Sequence, residues 1–446
     1  MRINEPIQVF EYDFLGIGSQ GFEIPHWEAL GKYNDEHGGN FFRLTHNGVK
    51  FQQYVGVIQV GNITIEILPK IGKESVPGGS KDEWQQVLID MLRECNWMKV
   101  YAHEKASLQF KFNSILEAYL ELFIKECESL LRQGLIKKYR SENSNCNSLK
   151  GKLLFSQNIN ENLVHQERFY TRHQVFDRNN VFNQILFKAL KIIPFISQSP
   201  LLKDRVYSLL LSFPDLEDLK VHDSTFQNLV FDRKTAPYRE AIEIAAMLLL
   251  NYRPDVSTGY NHILAILFDM NDLWEEYIYR QIQRYSIEGW RIKPQDEEFF
   301  WKQSNGNSTK SIKPDIVITA KGKTIIIDTK WKLPEDDIPS DNDLKQMFVY
   351  NEYWDGITAI LLYPRSISSP KPAFYPGEFL PIPNLNSYGR NVEGTYEAIK
   401  MHTCGVMKVS VLKEEDPLEG TILKGRSLDE NIGEKINNCL LSEILI

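Results

Sequence analysis

The stretch "KPDIVITAKGKTIIIDTKWK", residues 313–332, carries two aspartates, Asp315 and Asp328, and a lysine, Lys330, two positions after the second. Each aspartate sits at one end of a short β-branched run, "DIVI" and "TIIID". Side chains alternate along a strand, so Asp328 and Lys330 point the same way. If the two runs pair, Asp315 and Asp328 converge at one end of a sheet. Two carboxylates side by side repel unless a cation sits between them. Hard oxygen ligands select Mg²⁺, with Mn²⁺ as the substitute, and the carbonyl of Thr329 can add a third ligand. Lys330 beside such a cation can orient a water, or help it lose a proton, for attack on a phosphodiester. On these two strands alone, an exposed turn with a surface ion pair is an equally good reading.

The Asp-x-Lys triplet recurs at 218–220, 232–234 and 343–345, so its presence decides nothing. Context separates the copies. Only Asp328 ends an unbroken strand-like run and is preceded, at hairpin distance, by a Pro-Asp that opens another. Two further pieces join it in order along the chain. Glu275, in "NDLWEEYIYRQI", lies at the edge of the apolar face made by Leu273, Trp274, Tyr277 and Ile278, where a carboxylate can reach a metal from the side. Its neighbour Glu276 competes for that role. Gln346 and Tyr350, in "QMFVY", stand one helical turn apart and share a face.

The elements that must position these residues follow from period. Residues 1–80 read as β-rich, with "YVGVIQVGNITIEILPKI" broken by a hairpin-like "VGN". Residues 81–260 read as mainly helical, from apolar spacings of three and four in "WQQVLIDMLREC" and "SILEAYLELFIKECESLLRQGL", with Gly134 as a stop. "SENSNCNS" at 141–148 reads as a loop, "LKGKLLFSQNI" as a strand, "NNVFNQILFKALKIIPFI" and "REAIEIAAMLLLNY" as helices, and "RPDVSTGYN" at 253–261 as a linker. Residues 261–415 give helix, strands, helix, strand, the outline of a mixed α/β domain. Residues 416–446 are assigned as a tail. The fold class expected is mixed α and β: a β-rich N-terminal part, a helical middle and a C-terminal α/β core.

The ordered set Glu275, Asp315, Asp328, Lys330, Gln346 resembles the PD-(D/E)xK nuclease superfamily, and the Gln-x-x-x-Tyr helix looks like its RecB-type branch. The resemblance extends beyond the nuclease part. "QQYVGVIQVGNITIEILPKI", "LKGKLLFSQNI", "DRNNVFNQILFKAL", "MNDLWEEYI" and "DLKQMFVY" come in the order seen in the McrC family, over roughly residues 7–365. That resemblance implies a restriction-endonuclease-like core with Asp315 and Asp328 as metal acids, Lys330 as catalytic lysine, Glu275 as helix acid and Gln346 as supporting amide. It implies Mg²⁺, and double-stranded, modified DNA as substrate. It also implies an AAA+ GTPase ring of the McrB type as partner, engaged through residues 1–260 and reading the modified cytosine.

Composition bounds the alternatives. No apolar run is long enough to span a bilayer, and "MRINEPIQVFEYDF" lacks the apolar core of a signal peptide. Five scattered cysteines, none in a C-x-x-C pair, suit a reducing cytoplasm. The net charge of −8 makes any DNA contact local. Residues 147–207, with nine basic and four acidic side chains, are the basic segment, to be read as solvated faces, a DNA path or a surface for an acidic partner. No G-x-x-x-x-G-K-[ST] occurs, so a motor must come from another chain. The competing functions are a stand-alone repair nuclease and a non-cleaving activator of the GTPase; the intact Asp315, Asp328 and Lys330 argue against the latter.

Overall fold

A computed structural model describes residues 5–36, 41–71, 81–98, 114–253, 262–304, 308–332, 334, 338–365, 372–380, 403–413 and 428–444. The fold is mixed α and β, as expected. The N-terminal strands Tyr54–Val60 and Ile63–Leu68 pair antiparallel, with Val60 opposite Ile63. The two-residue turn between them begins at Gly61, whose φ of +54° is what a II′ hairpin requires at its first position. Ile7–Phe10 lies parallel to Ile63–Leu68 on the outer side.

The other side of this sheet departs from the sequence reading. Ile263–Asp269 pairs antiparallel with Tyr54–Val60, giving the order Ile7–Phe10, Ile63–Leu68, Tyr54–Val60, Ile263–Asp269, Tyr252–Arg253. Ile263–Asp269, which lies past the boundary expected at 260–261, is thus a strand of the N-terminal sheet. One continuous apolar core includes Val55, Phe123, Leu186, Trp274, Ile327 and Leu440. The reason is that "ILAILFD" has the same apolar pattern whichever sheet it joins, and periodicity carries no partner information. The linker expected at 253–261 lies, after Arg253, outside the described residues.

The middle region holds the helices Lys81–Glu94, Ile115–Gln133, Val181–Ile196, Pro200–Ser212 and Arg239–Asn251. Gly134 caps the second at φ +89°, and Asn180 caps the third by accepting from the Asn183 amide. A small sheet interrupts them. Lys138–Cys146 pairs along its whole length with Phe169–Asp177, so the loop expected at 141–148 is mostly strand. Its Ser and Asn side chains are poor strand formers, and the nine-residue ladder outweighs them. In "LKGKLLFSQNI" only Lys152–Leu153 is strand, followed by the helix Phe155–Asn162. Part of the basic segment is neutralised internally: Lys188 pairs with Asp218, and Arg205 with Glu121 and Glu128.

The C-terminal sheet has the order Arg291–Pro294, Ile316–Ala320, Lys323–Thr329, Gly356–Arg365, Thr403–Ser410, Ala373–Tyr375. Lys323–Thr329 and Gly356–Arg365 run parallel, and the helix Asp341–Tyr353 makes the crossover between them. The expected tail contributes more than a tail. Ile432, Ile436 and Leu440 recur every four residues and bury one face of the helix Ile432–Glu443. Asn437 Nδ2 donates to the carbonyls of Ile282 (3.1 Å) and Tyr285 (2.8 Å) at the end of the helix Met270–Arg284. Among the described residues no helix is long and apolar enough to cross a membrane.

Candidate active site

The hairpin fixes the two aspartates. Its turn is Lys321-Gly322, with φ of +53° and +76°, the two positive values a type I′ turn requires. That turn sets the register from Ala320 opposite Lys323 to Ile316 opposite Ile327. One step further, Asp315 comes to the position facing Asp328. Asp315 Oδ2 accepts from the Thr329 amide (2.6 Å) and hydroxyl (2.9 Å). Strand alternation does the rest. Ile325 and Ile327 face the main core, while Ile326 joins the smaller core with Met347 and Tyr350. Asp328 and Lys330 share the parity of Ile326, so they face the helix Asp341–Tyr353.

Asp328 is 1% exposed. Its Oδ2 is met by the Lys330 ammonium; among the described residues no other donor reaches that oxygen. Its Oδ1 lies 3.4 Å from Gln346 Nε2, which donates more closely to Tyr350 Oη at 2.6 Å. Tyr350 Oη in turn donates to the Lys313 carbonyl at 2.9 Å. The Gln-x-x-x-Tyr pair thus ties the helix to Asp328 and to the segment leading into the other strand of the hairpin. Outer partners of this kind typically matter ten- to a hundredfold. On the nuclease expectation from the sequence, Gln346→Ala should slow DNA cleavage by about that factor, with the melting temperature little changed. A wild-type rate would remove Gln346 from the site.

Charge is under tension here. Burial, then the neighbouring Asp315, pushes the Asp328 carboxyl up to about 7. Burial also raises Asp315, against the two Thr329 hydrogen bonds. Burial, the largest influence on the Lys330 ammonium, would lower it, but the charge and hydrogen bond of Asp328 together with the charges of Asp315 and Asp343 outweigh burial and raise it.

Of the two candidate helix acids, the structure turns Glu275 toward the aspartates. Glu275 Oε1 accepts from Gln295 Nε2 at 2.6 Å, and burial, then the charge of Asp315, pushes its carboxyl up to about 7. Glu276 instead pairs with Arg280 on its own helix. Gln295 is a residue the sequence did not flag. Its amide donates to the Asp315 carbonyl (2.9 Å) and its side-chain oxygen accepts from Lys313 Nζ (2.9 Å). It holds φ at +46°, a conformation costing a non-glycine residue about 1–2 kcal/mol. No local pattern marks such a residue in advance.

The donor set fits a hard divalent cation in part. Among the described residues no three His, Cys, Asp or Glu side chains are grouped as a metal site. The buried Asp328 and half-buried Asp315 carboxylates, whose mutual repulsion a cation would relieve, and the Thr329 carbonyl are the oxygens available. That small set suits Mg²⁺, which keeps several of its waters.

Glu11 is the other residue that sequence reasoning missed. It directly follows the strand Ile7–Phe10, is fully buried, and accepts from Trp331 Nε1 at 2.6 Å. Burial pushes its carboxyl up to about 8, from 4.5 when exposed. The folded state therefore holds a proton that the unfolded chain releases. Stability from this group is complete below pH 4.5 and is lost as pH rises through 8. Glu11→Gln, which keeps the acceptor and cannot ionise, should be more stable than wild type at pH 9 and similar at pH 5. Urea unfolding at both pH values measures this; equal stability at pH 9 would contradict the buried carboxyl.

The family model for the McrBC 5-methylcytosine restriction system component matches residues 49–364, and the chain belongs to that family. The fold agrees with a solved structure described as a refined half-complex from the tetradecameric assembly of Thermococcus gammatolerans McrB AAA+ hexamers with bound McrC. The match has a TM-score of 0.66 at 20% identity and covers 97% of this chain and 99% of that one. A structure of the Thermococcus gammatolerans McrBC complex also matches, at 22% identity and a TM-score of 0.49, over 64% of this chain and 88% of that one. The comparison with curated proteins found no match.

Proposed function

We propose that this chain is the Mg²⁺-dependent DNA endonuclease subunit of a GTP-driven restriction complex directed at modified, 5-methylcytosine-type DNA. It binds an AAA+ GTPase ring of the McrB type and stimulates GTP hydrolysis there. The observation that carries the nuclease reading is the placement of Asp315, Asp328 and Lys330 together at the end of the I′ hairpin, with Gln346 behind them. Membership of the restriction-system family and the fold shared with the McrB–McrC assembly support the partner reading.

Asp315, Asp328 and the Thr329 carbonyl would hold the cation, which when bound polarises the scissile phosphate. The remaining steps belong to the protein. The Lys330 ammonium, anchored by Asp328, presents protons to the attacking water and to the developing charge on the phosphoryl oxygens. Glu275, poised near neutral pH, accepts a proton from the water side of the site. Gln346 holds Asp328 against rotation. The modification is read by the partner, so specificity resides outside this chain.

The partner reading is tested by mixing the chain with the AAA+ protein encoded beside it. Co-elution and faster GTP hydrolysis are expected, and the Asp328→Asn chain should stimulate as well as wild type because its ring-engaging part is intact. Methylated plasmid should be cut and unmethylated plasmid spared. Absence of co-elution and of stimulation would contradict the partner; equal cutting of both plasmids would contradict the modification dependence.

A further inference from the structure

We infer that Glu11, on the N-terminal sheet, is a positioning residue of the nuclease centre: it fixes the Trp331 indole and thereby the Lys330 end of the strand. The inference rests on the nuclease reading above and deepens it.

Glu11 directly follows the strand Ile7–Phe10, and its backbone amide donates to the Leu68 carbonyl at 2.9 Å. It is therefore rigidly part of the N-terminal sheet. Its side chain is 0% exposed. Two donors converge on one oxygen, Oε1: the Lys70 amide at 2.7 Å and Trp331 Nε1 at 2.6 Å. The other oxygen, Oε2, is buried and has no partner among the described residues. A half-satisfied buried carboxyl costs stability that an apolar side chain would not. What the carboxyl provides in return is direction, since an indole N–H aimed at a fixed acceptor locks the ring.

The ring it locks lies between two parts of the centre. Trp331 directly follows Lys330, and it packs on Trp274, which directly precedes Glu275, with centroids 5.2 Å apart at 59°. The strand end is tied on its other side as well, where the Lys330 amide donates to the Leu362 carbonyl at 2.9 Å. Glu11 thus belongs to the N-terminal module yet sets the spacing between Lys330 and Glu275. Displacements of catalytic groups by about 1 Å can lower rates about a hundredfold.

Three variants separate positioning from bulk stability, each tested in the complete complex with partner, GTP and Mg²⁺. Trp331→Phe keeps the ring and removes the N–H. Glu11→Leu removes the acceptor. Glu11→Gln keeps it, and because burial holds the native carboxyl protonated to about pH 8, it is a close mimic at pH 7. Cleavage at saturating DNA should fall roughly ten- to hundredfold in Trp331→Phe and Glu11→Leu. DNA affinity and stimulated GTP hydrolysis should hold, and Glu11→Gln should restore the rate. If Glu11→Leu does not fold, Trp331→Phe and Glu11→Gln decide. Wild-type rates in Trp331→Phe, or a loss in Glu11→Gln as large as in Trp331→Phe, would overturn the positioning role. So would a loss confined to DNA affinity. A wild-type complex that cuts no DNA would instead sink the nuclease reading, and this role with it.

Discussion

Asp328→Asn should leave plasmid DNA uncut, a loss of about 10³-fold or more, in a chain that folds as well as wild type. Both halves follow from the same geometry. The substitution removes one of two carboxylates placed to hold the cation and the anchor of the Lys330 ammonium. It also removes a charge that burial and Asp315 disfavour, so the metal-free variant should melt at or above the wild-type temperature. A third effect ties the loss to metal. Mg²⁺ should raise the wild-type melting temperature and leave Asp328→Asn unmoved. Calorimetry with and without Mg²⁺, beside a gel assay of cleavage, reads all three. A variant that merely unfolds would show a lowered melting point in EDTA, and the site assignment would lose its support.

Lys330→Ala is the second large effect, and it should split what Asp328→Asn combines. Cleavage should fall by about 10²–10³-fold, the usual consequence of removing a donor aimed at developing charge. Metal binding should survive and even strengthen. The ammonium now neutralises Asp328, and it competes with a cation for the same oxygen. Without it, two mutually repelling carboxylates are left, and Mg²⁺ is the remaining means of relieving them. Titration of Mg²⁺ against melting temperature should show a lower midpoint than wild type. If Lys330→Ala abolished the Mg²⁺ response, the lysine would be holding the carboxylates in place rather than acting on the substrate.

What was legible in the sequence was whatever is encoded over a few residues. "KGK" between two β-branched runs specifies a hairpin, the hairpin specifies its register, and the register brings Asp315 to Asp328. Gln346 and Tyr350 share a face because four residues make about one helical turn. Glu275 and Glu276 could not be separated, because both flank the same apolar stripe. What separates them is Gln295 on one side and Arg280 on the other, and only the first is distant in sequence. Glu11 lies 320 positions from the tryptophan it holds, and a single acidic residue after a short strand carries no such signal. The same limit explains Ile263–Asp269, whose apolar run names no sheet, and Lys138–Cys146, whose polar composition argues for a loop. The C-terminal helix was read only as a tail, because what makes Ile432, Ile436 and Leu440 worth burying is packing against the distant helix Met270–Arg284.

On the proposed function, the end of the Lys323–Thr329 strand is a metal-dependent nuclease centre working under a GTPase partner. The most direct measurement is cleavage of methylated plasmid by wild type and Asp328→Asn, each with and without the AAA+ partner, GTP and Mg²⁺. Cutting by wild type alone, and only when partner, GTP and Mg²⁺ are all present, is the predicted result. Cutting by Asp328→Asn at the wild-type rate would contradict the active site, and cutting by wild type without partner or GTP would establish a stand-alone nuclease instead.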